Sequence, residues 1–221
     1  MSRAAVEKSP GFESRWRRIA TADAVYFAVE NISAVRLAEL FAAQGPLKLS
    51  PLGRGGGHFS HAELGPLRLK IYRRGGLFGK LFPHCGLNEA AARRELSAEF
   101  VLSGAGLATQ ETLALCVQAE VPKLRAVHRY FPDEVTYAEL AVQGKLSDAL
   151  RRSAEALLEK ITAAGYWHHD ANGGNLLWSE KNSRWRIIDL ASARPLDGIN
   201  PARALEKMRA RLAKPPRPFR Q

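Results

Sequence analysis

The chain has 221 residues, of which 46% are hydrophobic and 25% charged, enough for one large domain or two packed lobes. Its two cysteines are too few for a disulfide framework and lack metal-ligand spacing, and no signal-peptide-like segment or membrane-length apolar run is present, so we expect a cytoplasmic protein. The net charge of +11 concentrates anionic partners, which can be nucleic acid, nucleotide phosphates or a membrane surface, but charge alone fits a merely soluble basic protein equally well.

The N-terminal part of the chain changes character near residue 46. Residues 1–45 are predicted to form an extension, polar and basic up to about residue 20 and helical over 32–43. A three-stranded meander with a glycine turn is predicted next, with strands at 47–52, 59–64 and 67–72. A helix with charged residues on one side is expected at 88–102, and two more strands at 112–117 and 123–130.

The second half is predicted to be mainly helical. It contains an amphipathic helix, a polar glycine-bearing loop, a short apolar strand and a basic helix, expected at 147–164, 166–177, 185–190 and 201–214. We therefore predict an α+β, bilobal protein-kinase-like fold with an antiparallel β-rich N-lobe and a short helical C-lobe. The predicted boundaries are an extension at 1–45, an N-lobe at 46–130, a C-lobe at 131–214 and a basic, proline-rich tail at 215–221.

The polar loop carries the residues with the clearest chemistry. Asp170 is followed five positions later by Asn175, and Asp189 ends the apolar strand 19 residues after Asp170. Phosphoryl transfer needs a carboxylate to accept the proton of the attacking hydroxyl, and a carboxylate with an amide oxygen to hold Mg²⁺ on the phosphates. His168-His169-Asp170 with Asn175 fits the His-x-Asp-x-x-x-x-Asn pattern of kinases, if His168 is the supporting histidine.

The predicted N-lobe supplies candidate groups for binding ATP. Gly53, Gly55 and Gly57 form a turn whose backbone amides can approach phosphates. Lys70, on the third strand, is expected to reach those phosphates, and Glu95 on the following helix is its predicted ion-pair partner. Glu89 and Glu99 are the alternatives for that pairing.

Three stretches make the chain resemble the lipopolysaccharide kinases, and in particular the 3-deoxy-D-manno-octulosonic acid (Kdo) kinases. They are Gly53-Arg54-Gly55, the run from Lys70 to Leu77 followed by Gly79-Lys80-Leu81, and His168-His169-Asp170-Ala171-Asn172 through Asn175. Together they cover most of the span from about residue 50 to 214.

The resemblance implies transfer of the γ-phosphate of ATP to a sugar hydroxyl of a lipid A-linked acceptor, at the cytoplasmic face of the inner membrane. Asp170 and Asn172 are then catalytic, Asn172 standing where many protein kinases have lysine, and Asn175 with Asp189 binds Mg²⁺. The chain departs from the family at Ala191, where the usual Asp-Phe-Asp motif has its second acid, and at Lys70, where arginine is common.

A basic and aromatic segment offers a membrane or acceptor contact. Arg73, Arg74 and Lys80 lie among apolar and aromatic residues, and such a patch can rest on an anionic bilayer or grip lipid A phosphates. A solvated loop explains the same pattern. We expect no nucleic-acid partner, and the sequence does not predict an oligomeric state.

Two other functions remain open at this level. The acceptor can be heptose, another small molecule or a protein. A pseudokinase can use the same fold as a basic membrane-binding or nucleic-acid-binding module, although the complete set of Lys70, Asp170, Asn175 and Asp189 argues against it.

Overall fold

The computed structural model describes residues 12, 15–42, 56–73, 87–119 and 124–215. The described residues form two compact units. The first unit contains the described residues before Arg94 together with residues 111–132. The second unit contains residues 94–110 and the described residues from Asp133 onward.

Twelve strands and five α-helices occur in the described residues. The strands are β1 Trp16–Ala20, β2 Ala24–Val29, β3 Gly56–His61, β4 Gly65–Ile71, β5 Ala108–Thr109, β6 Thr112–Gln118, β7 Leu124–Arg129, β8 Val135–Thr136, β9 Tyr166–His168, β10 Leu176–Ser179, β11 Arg184–Ile187 and β12 Ala193–Pro195. The helices are α1 Ala34–Ala42, α2 Glu89–Gly104, α3 Tyr137–Val142, α4 Asp148–Ala163 and α5 Pro201–Leu212.

The first unit is built on a six-stranded antiparallel sheet in the order β1-β2-β6-β7-β4-β3. The central strands β6 and β7 are buried along most of their length. Most of β6 is apolar, whereas β7 also carries the buried polar residues Arg125 and His128. Helix α1 packs its apolar side into the same core, through Leu37, Leu40 and Phe41. This sheet fixes the position of Lys70, which lies on β4 between Gly56 of β3 and Ala126 of β7.

The N-terminal segment differs from its prediction. Residues up to about 20 were expected to form a polar surface segment, but Trp16–Ala20 is the edge strand of the sheet. Trp16 is only 2% exposed, and its indole N–H donates to the carbonyl oxygen of Thr112 at 3.2 Å. The basic side chains of Arg17 and Arg18 are both exposed, although consecutive strand residues point to opposite faces, and they give this edge strand the composition of a surface segment.

The second unit combines helices with a small sheet and a two-stranded ribbon. The sheet has the order β5-β11-β10-β8, and the ribbon pairs β9 with β12. Its core includes Leu158 and Ile161 of α4, Ile187 of β11 and Met208 of α5. Helix α4 begins after the N-cap Ser147, and α5 begins with Pro201 after the N-cap Asn200.

The predicted α+β class is confirmed, with local differences in the boundaries. Strand β11 ends at Ile187 instead of continuing to residue 190, and Asp189 begins a short 3-10 turn over Leu190–Ser192. Residues 94–110 belong to the second unit, whereas the predicted N-lobe ran from 46 to 130. The strand expected at 47–52 lies outside the described residues.

None of the helices in the described ranges combines the length and the apolarity that crossing a bilayer requires.

Gly56→Ala is expected to lower the free energy of unfolding by about 1–3 kcal/mol. Gly56 has φ of +112°, and an added Cβ would collide with the carbonyl oxygen of Leu69 on the neighbouring strand. Gly65 has φ of +75° but open space around it, so the control Gly65→Ala should cost only about 1 kcal/mol. Urea unfolding of the two variants measures the difference, and equal losses would contradict the predicted clash.

Candidate active site

His168 lies at the centre of the polar loop, at the end of β9. Its side chain is buried, and its Nδ1 accepts the backbone N–H of Asp170 at 3.2 Å. Its Nε2 lies 3.0 Å from the carbonyl oxygen of Asp189 and must therefore carry the proton. Burial lowers the pKa of His168 and keeps the ring neutral, although the nearby Asp189 opposes this shift. A neutral ring in one tautomer thus links the two acidic residues.

The segment from Asp170 to Asn175 is closed by its own hydrogen bonds. The amide group of Asn175 donates to the carbonyl oxygen of Asp170 at 2.8 Å, and so does the backbone N–H of Asn172 at 2.7 Å. The side-chain oxygen of Asn172 accepts the N–H of Gly174 at 2.8 Å. These bonds show Asn172 shaping the turn, while a direct catalytic role for it stays a prediction.

Asp189 is held beside this segment by backbone bonds on both sides. The N–H of Ile188 donates to the carbonyl oxygen of Asn175 at 3.0 Å. Asp189 itself is in the left-handed region, with φ of 61° and ψ of 47°, and its carbonyl oxygen accepts from Ser192 at 3.0 Å. The structure therefore joins the backbones of Asp170 and Asp189 and the side chain of Asn175 in one hydrogen-bonded network, while their catalytic and metal-binding roles stay a prediction.

The composition of this network fits a magnesium site. The nitrogen of the Asn175 amide is already a donor, so its oxygen is the atom that a metal would use. The Asp189 carboxylate would be the second protein ligand. Across the described ranges, no three His, Cys, Asp or Glu side chains gather as an all-protein metal site. A kinase magnesium ion does not need one, since the nucleotide phosphates complete its coordination.

Gln110 connects Glu95 to the same region and was missed by the sequence analysis. Its amide nitrogen donates to Oε1 of Glu95 at 2.7 Å, and its amide oxygen accepts the N–H of Leu190 at 3.2 Å. The backbone N–H of Gln110 donates to the carbonyl oxygen of Ile187 at 2.9 Å. Glu95 and Gln110 are both buried. No motif or spacing marks Gln110, because its partners are 15 and 80 positions away in the sequence.

The predicted ATP-binding residues are divided between the two units and the residues that are not described. Lys70 and Gly57 belong to the first unit, and Glu95 to the second. Lys70 Nζ lies 4.2 Å from the centre of the Tyr72 ring. Gly53, Gly55, Arg74 and Lys80 lie outside the described residues, and Arg73 is exposed.

The Asp170 carboxylate is accessible, with 46% of its side chain exposed. Its Oδ1 lies 3.6 Å from Nη1 of Arg211, on helix α5. The next-door His169 has a lowered pKa, first because of partial burial and then because Arg194, Arg211 and Lys207 are close. The carboxylate that would act as the base is therefore open to a substrate, and Arg211 lies beside it.

The stability of the protein is expected to fall as the pH drops below 6.5, the ordinary pKa of histidine. Because burial lowers the pKa of folded His168, the unfolded state binds more protons in this range, and acid favours unfolding. Urea unfolding in EDTA at about pH 7.5 and about pH 5.5 measures the loss. His168→Gln, whose side chain stays neutral, should reduce this pH dependence, and an unchanged dependence would assign it to other groups.

Comparison with known proteins identifies the family of this chain. The sequence profile of the lipopolysaccharide kinase (Kdo/WaaP) family matches residues 38–214. A 3-deoxy-D-manno-octulosonic acid kinase of Photobacterium damsela subsp. piscicida is 29% identical over 170 residues, which are 73% of this chain and 70% of that protein. A solved structure described as WaaP in complex with acyl carrier protein has a TM-score of 0.48 and 21% identity, over 79% of this chain and 71% of the other.

The profile match includes the strand with Lys70, the helix with Glu95 and the whole network around His168. The order of these elements follows the kinase pattern expected from the sequence. The chain belongs to the lipopolysaccharide kinase (Kdo/WaaP) family and is an ATP-dependent phosphotransferase.

Proposed function

We propose that this kinase transfers the γ-phosphate of ATP to a hydroxyl of Kdo on the Kdo-lipid A precursor. The hydrogen-bonded network that holds Asp170, Asn175 and Asp189 around the neutral His168 carries the proposal. Membership of the family supports a sugar of the lipopolysaccharide core as the acceptor. The 29% identity to a Kdo kinase supports Kdo as that sugar.

Asp170 is proposed as the general base for the acceptor hydroxyl. Its side chain is exposed enough to reach a substrate, whereas its backbone is fixed through His168 and Asn175. A carboxylate held in this way can orient the hydroxyl and accept its proton as the oxygen attacks the γ-phosphorus.

Asn175 and Asp189 are proposed to hold Mg²⁺ with the ATP phosphates. The bound ion would neutralise the negative charge that develops on the phosphates. The chain itself supplies the amide oxygen of Asn175, aimed by the bond from its nitrogen to the Asp170 carbonyl. It also supplies the Asp189 carboxylate, whose backbone position is fixed by His168 and Ser192.

Lys70 is proposed to bind the ATP phosphates with Glu95 as its ion-pair partner, beside the turn of Gly53, Gly55 and Gly57. Glu89 fits this role less well, because it is bound to Arg18 at 2.9 Å and to Arg93 at 3.1 Å. Glu95 is buried and held by Gln110, as a residue that positions a lysine should be. Glu99 is buried as well and remains the alternative.

We also propose that the enzyme works at the cytoplasmic face of the inner membrane, where a lipid-linked acceptor would lie. The net charge of +11 and the exposed Arg73 support contact with an anionic surface. Sedimentation with vesicles containing an anionic lipid tests this. Binding that resists raised salt and does not depend on the anionic lipid would contradict an electrostatic contact.

The acceptor is tested by transfer from radiolabelled ATP and magnesium to three substrates offered separately. They are the Kdo-lipid A precursor, the same lipid carrying heptose, and a general protein substrate. Label only or mainly in the first supports the proposal. Label that requires heptose would make the chain a heptose kinase, and ATP binding without any transfer would indicate a pseudokinase.

A further inference from the structure

Helix α5 and the β9–β12 ribbon place three cationic side chains close to His169, the neighbour of the proposed base Asp170. Trp167 of β9 pairs with Arg194 of β12 in the ribbon register. The backbone N–H of His168 lies 3.2 Å from the sulfur of Met208, so α5 packs directly on β9. Lys207 and Arg211 are on either side of Met208 and four positions apart, which puts them on one side of the helix.

The contacts of these side chains locate the positive charge. Arg211 Nη1 is 3.6 Å from Oδ1 of Asp170. Lys207 Nζ is 5.6 Å from the centre of the Trp167 ring, and that ring lies 3.8 Å from the ring of His169. Arg194 is anchored by bonds from Nη1 to the carbonyl oxygens of Ala191 and Ala193, at 2.7 and 2.6 Å.

Three positively charged side chains therefore lie close to His169, and one of them, Arg211, is also in contact with the Asp170 carboxylate. Like charges gathered in this way repel one another. A substrate that brings a negative group of its own would relieve this repulsion. A guanidinium and an ammonium that meet a carboxylate form the strong, charge-assisted hydrogen bonds by which proteins orient sugar acids.

We infer that Arg194, Lys207 and Arg211 form a subsite for the carboxylate of a sugar-acid acceptor, next to Asp170. The inference rests on the proposed function for its choice of acceptor, since 3-deoxy-D-manno-octulosonic acid carries a carboxylate. Binding of that carboxylate sets the orientation of the sugar ring, and therefore which hydroxyl reaches Asp170. Arg211 is the residue that would contact both the base and the substrate.

The test compares binding of the free sugar acid Kdo and its methyl ester to the full chain without nucleotide, by calorimetry or NMR titration. The wild-type protein should bind the acid about tenfold or more tightly than the ester, the size expected for a lost charged hydrogen bond. Lys207→Gln and Arg211→Gln should remove most of this preference. Arg203→Gln is the matched control, because Arg203 is exposed on the same helix and its loss changes the net charge equally.

Equal affinity of the wild-type protein for acid and ester, including no binding of either, would overturn the inference. So would variants that keep the preference for the acid. Variants whose one defect in the transfer assay is a raised KM for ATP would also overturn it, since the cations would then serve the nucleotide. The ester comparison needs no variant, so it decides the question even if a variant misfolds. Transfer to Kdo-lipid A without an acid preference would leave the proposed function standing and this subsite wrong. A preference for the acid without any transfer to Kdo-lipid A would leave the subsite standing and the proposed function wrong.

Discussion

Asp170→Asn is expected to lower kcat for phosphate transfer by about 10²–10⁴-fold, the range that a positioned general base contributes. An amide cannot accept the proton of the acceptor hydroxyl. The hydrogen bonds that Asp170 makes to His168 and Asn175 use its backbone N–H and carbonyl oxygen, so they survive the change. The variant should therefore fold normally and keep the KM for ATP close to that of the wild type.

The measurement is the steady-state rate of transfer to the Kdo-lipid A precursor, with unfolding free energy as a check on folding. Asp197→Asn is the control, since Asp197 is an exposed acid of the same unit. Asp189→Asn should also lose activity, but its loss should be relieved in part by raised magnesium, because it weakens metal binding. An active Asp170→Asn protein would remove Asp170 from the role of base.

Arg186→Met is expected to lower the free energy of unfolding by about 3–5 kcal/mol, because it leaves a buried carboxylate without its partner. Arg186 forms a bidentate ion pair with Glu134, from Nε to Oε2 at 2.8 Å and from Nη2 to Oε1 at 3.1 Å. The two side chains are only 5% and 7% exposed. A third bond runs from Nη1 of Arg186 to the carbonyl oxygen of Thr109 at 2.6 Å. This one side chain therefore links β11 to β5 and to the residue before β8.

Urea unfolding of single and double variants separates the causes of this loss. Adding Glu134→Leu to Arg186→Met should recover part of the stability, since the buried charge is then gone. Arg209→Met is the exposed control, and the loss of its surface pair with Glu159 should cost at most about 1 kcal/mol. A similar cost for Arg186→Met would mean that the Glu134 carboxylate finds water or another partner.

The sequence points to Asp170 and Asn175 as candidate catalytic residues because they are close along the chain, and their roles stay a prediction. Asp170 and Asn175 lie five positions apart, and the bonds that close the turn between them are short-range. In a short turn of this kind, the spacing of the residues along the chain largely determines how close they lie in the structure. Asp189 was found for a related reason, since a short apolar strand leads to it and indicates where the chain turns.

The sequence failed where a residue's role depends on distant partners. Gln110 is noticeable only through its hydrogen bonds to Glu95 and Leu190, and neither contact follows from a local pattern. Strand β1 was missed because Trp16 is its one buried residue, so its exposed arginines concealed the packing of Trp16. The pairing of Lys70 with Glu95 stays a prediction, and the burial of Glu95 could not have been foreseen from a helix rich in charged residues.

The left-handed backbone of Asp189 lowers stability at a position whose side chain is proposed to bind the metal. A side chain in this region costs about 1 kcal/mol relative to glycine, and no other described non-glycine residue except Ser183 has positive φ. Asp189→Gly should therefore remove this backbone cost and, under the proposed role of Asp189 in magnesium binding, leave the enzyme inactive, because glycine offers no side-chain ligand. A library selected for thermal tolerance alone would not exclude inactive proteins at this position, so an engineering effort on this enzyme has to select for turnover as well.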